Sequence, residues 1–246
     1  MSWVYGHHAV AAQLAQRPER ARVLYLQKGR RDPRTSTLAE QARAAGVRVE
    51  LLDKRRLDQR CEGSHQGVAL ECQAVAVATE AELLARLPSF GPRPLLLVLD
   101  EITDPRNLGA CLRSAAAAGV DAVVLPKRGS APLNELVEKT AAGALAELLI
   151  VEVSNLARCL SALKDAGLWL FGAADDGAEA WDRVDFAVPA VLILGNEATG
   201  LRRLTREHCD YLVRIPMQGA VSSLNVSVAT GVLLFEAVRQ RSQRSS

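Results

Sequence analysis

Residues 95–126 read LLLVLDEITDPRNLGACLRSAAAAGVDAVVLP. Five apolar residues in succession, Leu95–Leu99, closed by Asp100, have the length of a strand buried on both faces. The alanine- and leucine-rich run over roughly 107–118 reads as a helix, and Gly119 stops it. Residues 122–125 are again apolar and strand-sized. Strand, helix and strand in this order are the unit from which parallel sheets are built.

The same alternation continues downstream. A helix is expected over 133–141, a strand over 148–151, and a helix over 154–166 stopped by Gly167. Strands follow at 169–173, 190–194 and 211–215, and a long helix over 223–239. The expected fold class is therefore α/β, with a parallel sheet covered by helices on both faces. Such sheets bind ligands in the crevice beyond the carboxyl ends of their strands.

Upstream, Pro88, Gly91, Pro92 and Pro94 fall within seven residues and mark a connection. The stretch before it reads as a small mixed α/β module. Strands are expected at 22–27 and 47–52, a helix over 36–45 ended by Gly46, and an extended apolar segment over 67–77. The expected division is a first domain over 1–78, a linker over 79–93 and a second domain over 94–246.

Totals narrow the class. A chain of 246 residues with 49% hydrophobic and 24% charged residues can bury a core. The first residues lack a secretory pattern, and no apolar run approaches the roughly 18–20 residues of a membrane span, so a cytoplasmic protein without a membrane partner is expected. Cys61, Cys72, Cys111, Cys159 and Cys209 form no C-x-x-C pair, and the histidines are not spaced as ligands, so neither disulfides nor a metal is expected. Residues 1–60 hold 13 Lys and Arg against 6 Asp and Glu, a net of +7, and the remainder carries −5. A basic first segment suits a polyanion, although a solvated arginine-rich surface accounts for it equally well.

Three polar clusters follow strands of the second region. In the first, Asp104-Pro105 opens a helix as cap and first residue, followed by Asn107, Gly109 and Arg113. Arg113 falls in a helix expected to face the sheet, where a buried cation needs a reason. The second is Gly195-Asn196-Glu197-Ala198-Thr199-Gly200, whose glycines allow a ligand close to the backbone. The third runs over 215–227 and carries Ser223 and Asn225; Ser223 could simply cap the last helix. Each has a plain reading as a turn, but together they bring Arg, Glu, Ser and two Asn to one sheet edge. No G-x-G-x-x-G, P-loop or G-x-S-x-G elbow is present, which argues against a dinucleotide fold, a nucleotide triphosphatase and an α/β-hydrolase.

The strings DPRNLGACLRSA (104–115), LGNEATGL (194–201) and IPMQGAVSSLNVSVA (215–229) closely resemble motifs 1, 2 and 3 of the SpoU/TrmH (SPOUT) family of knotted RNA methyltransferases. YGHHAV (5–10), HQG (65–67) and RRLTREHCD (202–210) resemble the subgroup acting on guanosine in 23S rRNA. The resemblance implies a deep trefoil knot in the second domain and a ribosomal-protein-L30-like RNA-binding domain in front. It also implies a homodimer and S-adenosylmethionine held through backbone groups at Gly195, Ile215 and Leu224. Asn107, Arg113, Glu197, Ser223 and Asn225 would form the catalytic set. Ala198 stands where many relatives have glycine, and 116–118 is plainer than usual, but no functional side chain is missing.

The family usually assigns Arg113 as base. Neutralising a guanidinium near pH 7 means a shift of about 5 units, or roughly 7 kcal/mol. The alternative is a charged Arg113 that stabilises the alkoxide while a substrate phosphate takes the proton. Other readings of the chain are a tRNA ribose methyltransferase and a non-catalytic RNA-binding protein; the HQG module favours rRNA, and the intact polar set favours catalysis. Arg17, Arg20, Arg30, Arg31 and Arg34 are candidates for RNA contact.

Overall fold

The structure, a computed structural model, describes residues 2–29, 32–61, 65–73 and 75–244. It divides into two compact units, residues 1–75 and 76–246. The first contains β1 (Ser2–Tyr5), α1 (His7–Gln16), β2 (Ala21–Gln27), α2 (Pro33–Ala44), β3 (Arg48–Leu52), α3 (Lys54–Arg60) and β4 (Val68–Cys72). Its mixed sheet has the order β1-β4-β2-β3, with β2 and β3 parallel and the other pairs antiparallel. Alternate residues of β2 serve two layers: Leu24 and Leu26 pack with Leu38, Ala42 and Val10, while Val23 and Tyr25 pack with Leu57 and Cys61.

Local chemistry sets the helix starts. Asp32 accepts from the Arg34 N–H and Pro33 is the first helical residue, so α2 begins earlier than the alanine pattern indicates. Asp53 caps α3 in the same way, at 2.8 Å from the Arg56 N–H. The family-like motifs of this unit are structural in part. Buried His7 lies 3.1 Å from Thr35 Oγ1. His65 Nδ1 accepts from the Gly67 N–H at 3.0 Å, leaving Nε2 to face Asp58 Oδ1 at 2.8 Å.

The second unit follows with β5 (Val77–Ala78), α4 (Glu80–Arg86), β6 (Leu95–Leu99), α5 (Pro105–Ala117), β7 (Ala122–Pro126), α6 (Glu135–Ala141), β8 (Leu149–Val153) and α7 (Leu156–Asp165). Then come β9 (Trp169–Ala173), β10 (Glu179–Ala180), β11 (Ala190–Leu194), α8 (Arg203–His208), β12 (Tyr211–Arg214) and α9 (Val226–Gln243). All pairings in the sheet β10-β12-β9-β11-β6-β7-β8-β5 are parallel. Every residue of β6, β7 and β11 is buried, as expected for strands covered on both faces.

Residues 79–93, expected as a linker, instead fold onto the second unit. Thr79 and Glu82 form a capping box that starts α4, and Leu83 and Leu87 join the core with Leu96, Val98 and Leu160. The prolines mark the turn into β6, not a free connection. The extended segment expected over 67–77 is likewise broken: β4 belongs to the first sheet and β5 to the second.

Two packing details hold the second unit together. On α5, Gly109 lies so close to α6 that an added Cβ would stand 2.6 Å from Thr140 Cβ and 2.9 Å from the Val137 carbonyl oxygen. In the last turn of α9, Arg241 donates to the carbonyls of Phe186, Arg93, Pro94 and Val188, which flank the starts of β6 and β11. Burial pushes this guanidinium below its ordinary range.

Gly109→Val should force α5 and α6 apart and lower the stability of the second unit by about 1–3 kcal/mol, the usual cost of overpacking. A lower urea midpoint at unchanged slope would show it; an unchanged midpoint would refute the close packing.

Candidate active site

β11 lies between β6 and β9, so the chain leaves the carboxyl ends of adjacent central strands in different directions. This is where a parallel sheet opens a crevice. From β6, Asp104 caps α5 by accepting from the Arg106 N–H at 2.7 Å and sets Asn107 in the first helical turn. From β11, the loop 195–200 closes on itself, the Asn196 and Gly200 N–H groups donating to each other's carbonyls at 3.1 and 2.8 Å. A Cβ on Gly195 would fall 2.2 Å from the Gly200 carbonyl carbon, so only glycine fits there. After β12, the chain runs through the third polar cluster into α9. Asn225 rather than Ser223 caps that helix, its Oδ1 accepting from the Ser227 N–H and hydroxyl at 2.9 and 2.6 Å.

Side chains from all three loops meet. Asn107 Nδ2 donates to Glu197 Oε1 at 2.7 Å, and Asn225 Nδ2 donates to Asn107 Oδ1 at 3.1 Å. These residues are 90 and 118 positions apart in the chain. Beside them opens a cleft of about 520 Å³ whose lining includes Gly195, Glu197, Ile215, Ser223 and Leu224. That volume is in the range of small-molecule sites. Leu194, Leu201, Val226 and Ala229 give it an apolar side.

Arg113 departs from expectation. It is exposed on α5, is absent from the cleft lining, and has no hydrogen-bond or ion-pair partner among the described residues. The buried face of α5 is formed by Leu108, Gly109, Cys111, Leu112 and Ala115, and Arg113 falls on the opposite side. Its neighbour Ser114 faces α9, with its Oγ 3.8 Å from where a Cβ on Gly231 would stand. Beneath the polar cluster, burial pushes the Cys111 thiol up to about 11, and it pairs with Thr230 Oγ1 at 3.3 Å, so it is no thiolate nucleophile at neutral pH.

The cleft also contains residues that the sequence reading passed over. Asp175 and Asp176 follow β9, and Arg206 of α8 grips both oxygens of Asp176 at 2.8 Å. Hydrogen bonding to Arg206 holds the Asp176 carboxyl below the usual carboxylate range. Two aspartates directly beyond a strand were the available signal. In the first unit, Arg20 donates to the Gln73 carbonyl and Arg34 pairs with Asp32, while Arg30 and Arg31 lie outside the described residues. Lys54 and Arg55 on α3 are exposed, with no partner among the described residues.

Parallel sheet, central crevice and three converging polar loops define an α/β domain with a cleft of small-molecule size at the strand carboxyl ends. Residues 94–235 match the SpoU rRNA Methylase family, and residues 3–77 match the RNA 2′-O ribose methyltransferase substrate binding domain. The chain therefore belongs to the SpoU rRNA methylase family. It is 51% identical over 238 residues to the 23S rRNA (guanosine-2′-O-)-methyltransferase RlmB of Pseudomonas aeruginosa, covering 97% of this chain and 96% of the relative. Identity to the Escherichia coli K12 protein of that name is 45% over 240 residues, covering 97% and 98%. Among solved structures, the SpoU methyltransferase AviRb from Streptomyces viridochromogenes in complex with the cofactor AdoMet superposes with a TM-score of 0.70 at 28% identity, covering 97% of this chain and 89% of that one.

The Asp176–Arg206 pair sets an acid dependence. A carboxyl depressed in the folded state contributes stability above its unfolded pKa, and that contribution fades as pH falls through the lower folded value. Asp176→Asn should therefore flatten the acid limb of a stability–pH curve; a superimposable curve would count against the pairing.

Proposed function

We propose that this protein transfers a methyl group from S-adenosylmethionine to the 2′-hydroxyl of a guanosine ribose in 23S rRNA, in the cytoplasm. The observation that carries this is the hydrogen-bonded set Asn107–Glu197–Asn225, which joins three distant motifs at the mouth of one cleft. The curated relatives named for this reaction align over nearly the whole chain.

The cleft fits the methyl donor. Gly195 lines the cleft as bare main chain, because a side chain there would collide with the backbone of Gly200 and Leu201. Leu194, Leu201 and Val226 would pack against the donor's adenine, and Gly195, Ile215 and Leu224 would hold it through backbone groups. Arg206 balances Asp176, and Asp175 and Glu197 leave the lining with negative charge, which suits a cationic ligand. When bound, the sulfonium supplies an electrophilic methyl group.

The chain's own residues then orient the nucleophile. Both ends of the Asn107 amide are committed, one to Glu197 and one to Asn225, so the three side chains hold a fixed arrangement. Ser223 lines the cleft and presents a hydroxyl to the ribose. Arg113 lies outside this cleft, and its role is taken from the motif that carries it: it stabilises the alkoxide that develops as the 2′-hydroxyl loses its proton, and the proton leaves to a substrate phosphate. Since its own chain leaves Arg113 exposed, RNA and a second copy of the chain provide its cover.

That second copy forms a homodimer through α9, where Val228 and Phe235 are each 50% exposed and lie seven residues apart on one face. The first unit, with its basic residues, holds the rRNA. In the second, the insertion of β11 between β6 and β9, with β12 outside β9, accompanies a deep trefoil knot in the chain leading to α9.

Mass mapping of rRNA from cells lacking the protein should show one 23S guanosine without its ribose methyl. The wild-type gene should restore it, and Arg113→Ala or Asn107→Ala should not; an unchanged map, or full activity of Arg113→Ala, rejects the reading. Phe235→Glu should shift sedimentation from dimer to monomer and depress activity together, whereas a monomeric wild type would remove the dimer from the account.

A further inference from the structure

The loop that carries Glu197 is anchored by residues outside the three motif loops. Asp100, fully buried, follows β6, and its N–H donates to the Leu194 carbonyl at 2.7 Å, extending the β6–β11 ladder to the point where the loop begins. Its Oδ2 accepts from Thr205 Oγ1 at 2.6 Å. Its Oδ1 lies 2.6 Å from Arg202 Nη2, in ion-pair contact without a directed hydrogen bond. The other arm of Arg202, Nη1, donates to Glu101 Oε1 at 2.8 Å.

Glu101 has a φ of +62°, a left-handed conformation that costs a side-chain-bearing residue about 1 kcal/mol or more. Its carbonyl accepts from Asn196 Nδ2 at 2.9 Å. Asn196 Oδ1 in turn accepts from the Ala198 and Thr199 N–H groups at 2.9 and 3.3 Å. Opposite, a Cβ on Gly129 would fall 2.8 Å from Glu101 Oε1, so the loop after β7 passes close against this side chain. A buried carboxylate is costly, and an apolar pair commonly stabilises as well or better. Here every bond of the network ends on the segment 194–205.

We propose that Asp100, Glu101 and Arg202 form a latch that holds the 195–201 loop in the shape that binds the methyl donor. They are positioning residues, acting through Asn196 and the loop backbone, and the inference rests on the methyl-transfer reading above. The latch makes donor affinity, rather than the chemical step, the quantity these residues control.

The test uses the full chain with Arg202→Gln, Arg202→Lys and Glu101→Gln, leaving Asp100 in place because stripping one partner from a buried pair endangers folding. Donor binding by titration calorimetry should weaken about fivefold or more in Arg202→Gln and Glu101→Gln, the scale of one lost charged hydrogen bond. KM for the donor should rise in step while kcat at saturating donor stays within about twofold, and Arg202→Lys should recover part of the loss. Unchanged donor affinity, or a fall in kcat at constant KM, overturns the latch. Should Arg202→Gln fail to fold, Glu101→Gln, a change at a partly exposed carboxylate, decides alone. If the wild type binds no donor, the methyl-transfer reading fails instead. The latch is then judged by hydrogen exchange, where unchanged protection of the Ala198 and Thr199 amides in Glu101→Gln overturns it.

Discussion

The pairing of β6 with β11 is the constraint on which the second unit depends. The two strands run parallel in register from Leu95↔Ala190 to Leu99↔Leu194, buried throughout. Parallel neighbours place their carboxyl ends side by side, so polar segments that follow them in sequence emerge together. Asp100 and Gly195 are neighbours for that reason, and so are Asn107 and Glu197, with 90 residues between them in the chain. The apolar ladder holds the polar loops at a spacing that neither loop could set by itself.

Much of this was legible in the sequence because fully buried strands are continuous apolar runs. The six longest strands of the second unit, β6 to β9, β11 and β12, fall close to where the apolar runs put them. What escaped notice was governed by caps and short amphipathic pieces. The α3 helix has one buried residue, Leu57, among charged neighbours, so no apolar period announces it. The α4 helix looked like part of a connection because prolines follow it, although its Thr79–Glu82 capping box was present in the sequence.

The candidate site was legible as a set of residues but not as a geometry. Gly195, Ile215 and Leu224, which the family resemblance implied, all line one cleft. Arg113 was expected to be buried because its helix is rich in alanine; the helix turns that residue outward and gives Leu112 and Ala115 to the core. Alanine content cannot fix which side of a helix faces the sheet. Asp176 and Arg206 went unremarked because their pairing spans 30 residues and joins a strand end to a six-residue helix.

The position of Arg241 bears on how the far side of the sheet, away from the cleft, is closed. Its guanidinium gathers carbonyls from 93–94 and from 186–188, two segments that reach the sheet from distant parts of the chain. Removing that turn would leave these carbonyls without their shared donor, so α9 ties the starts of β6 and β11 to each other from outside the sheet.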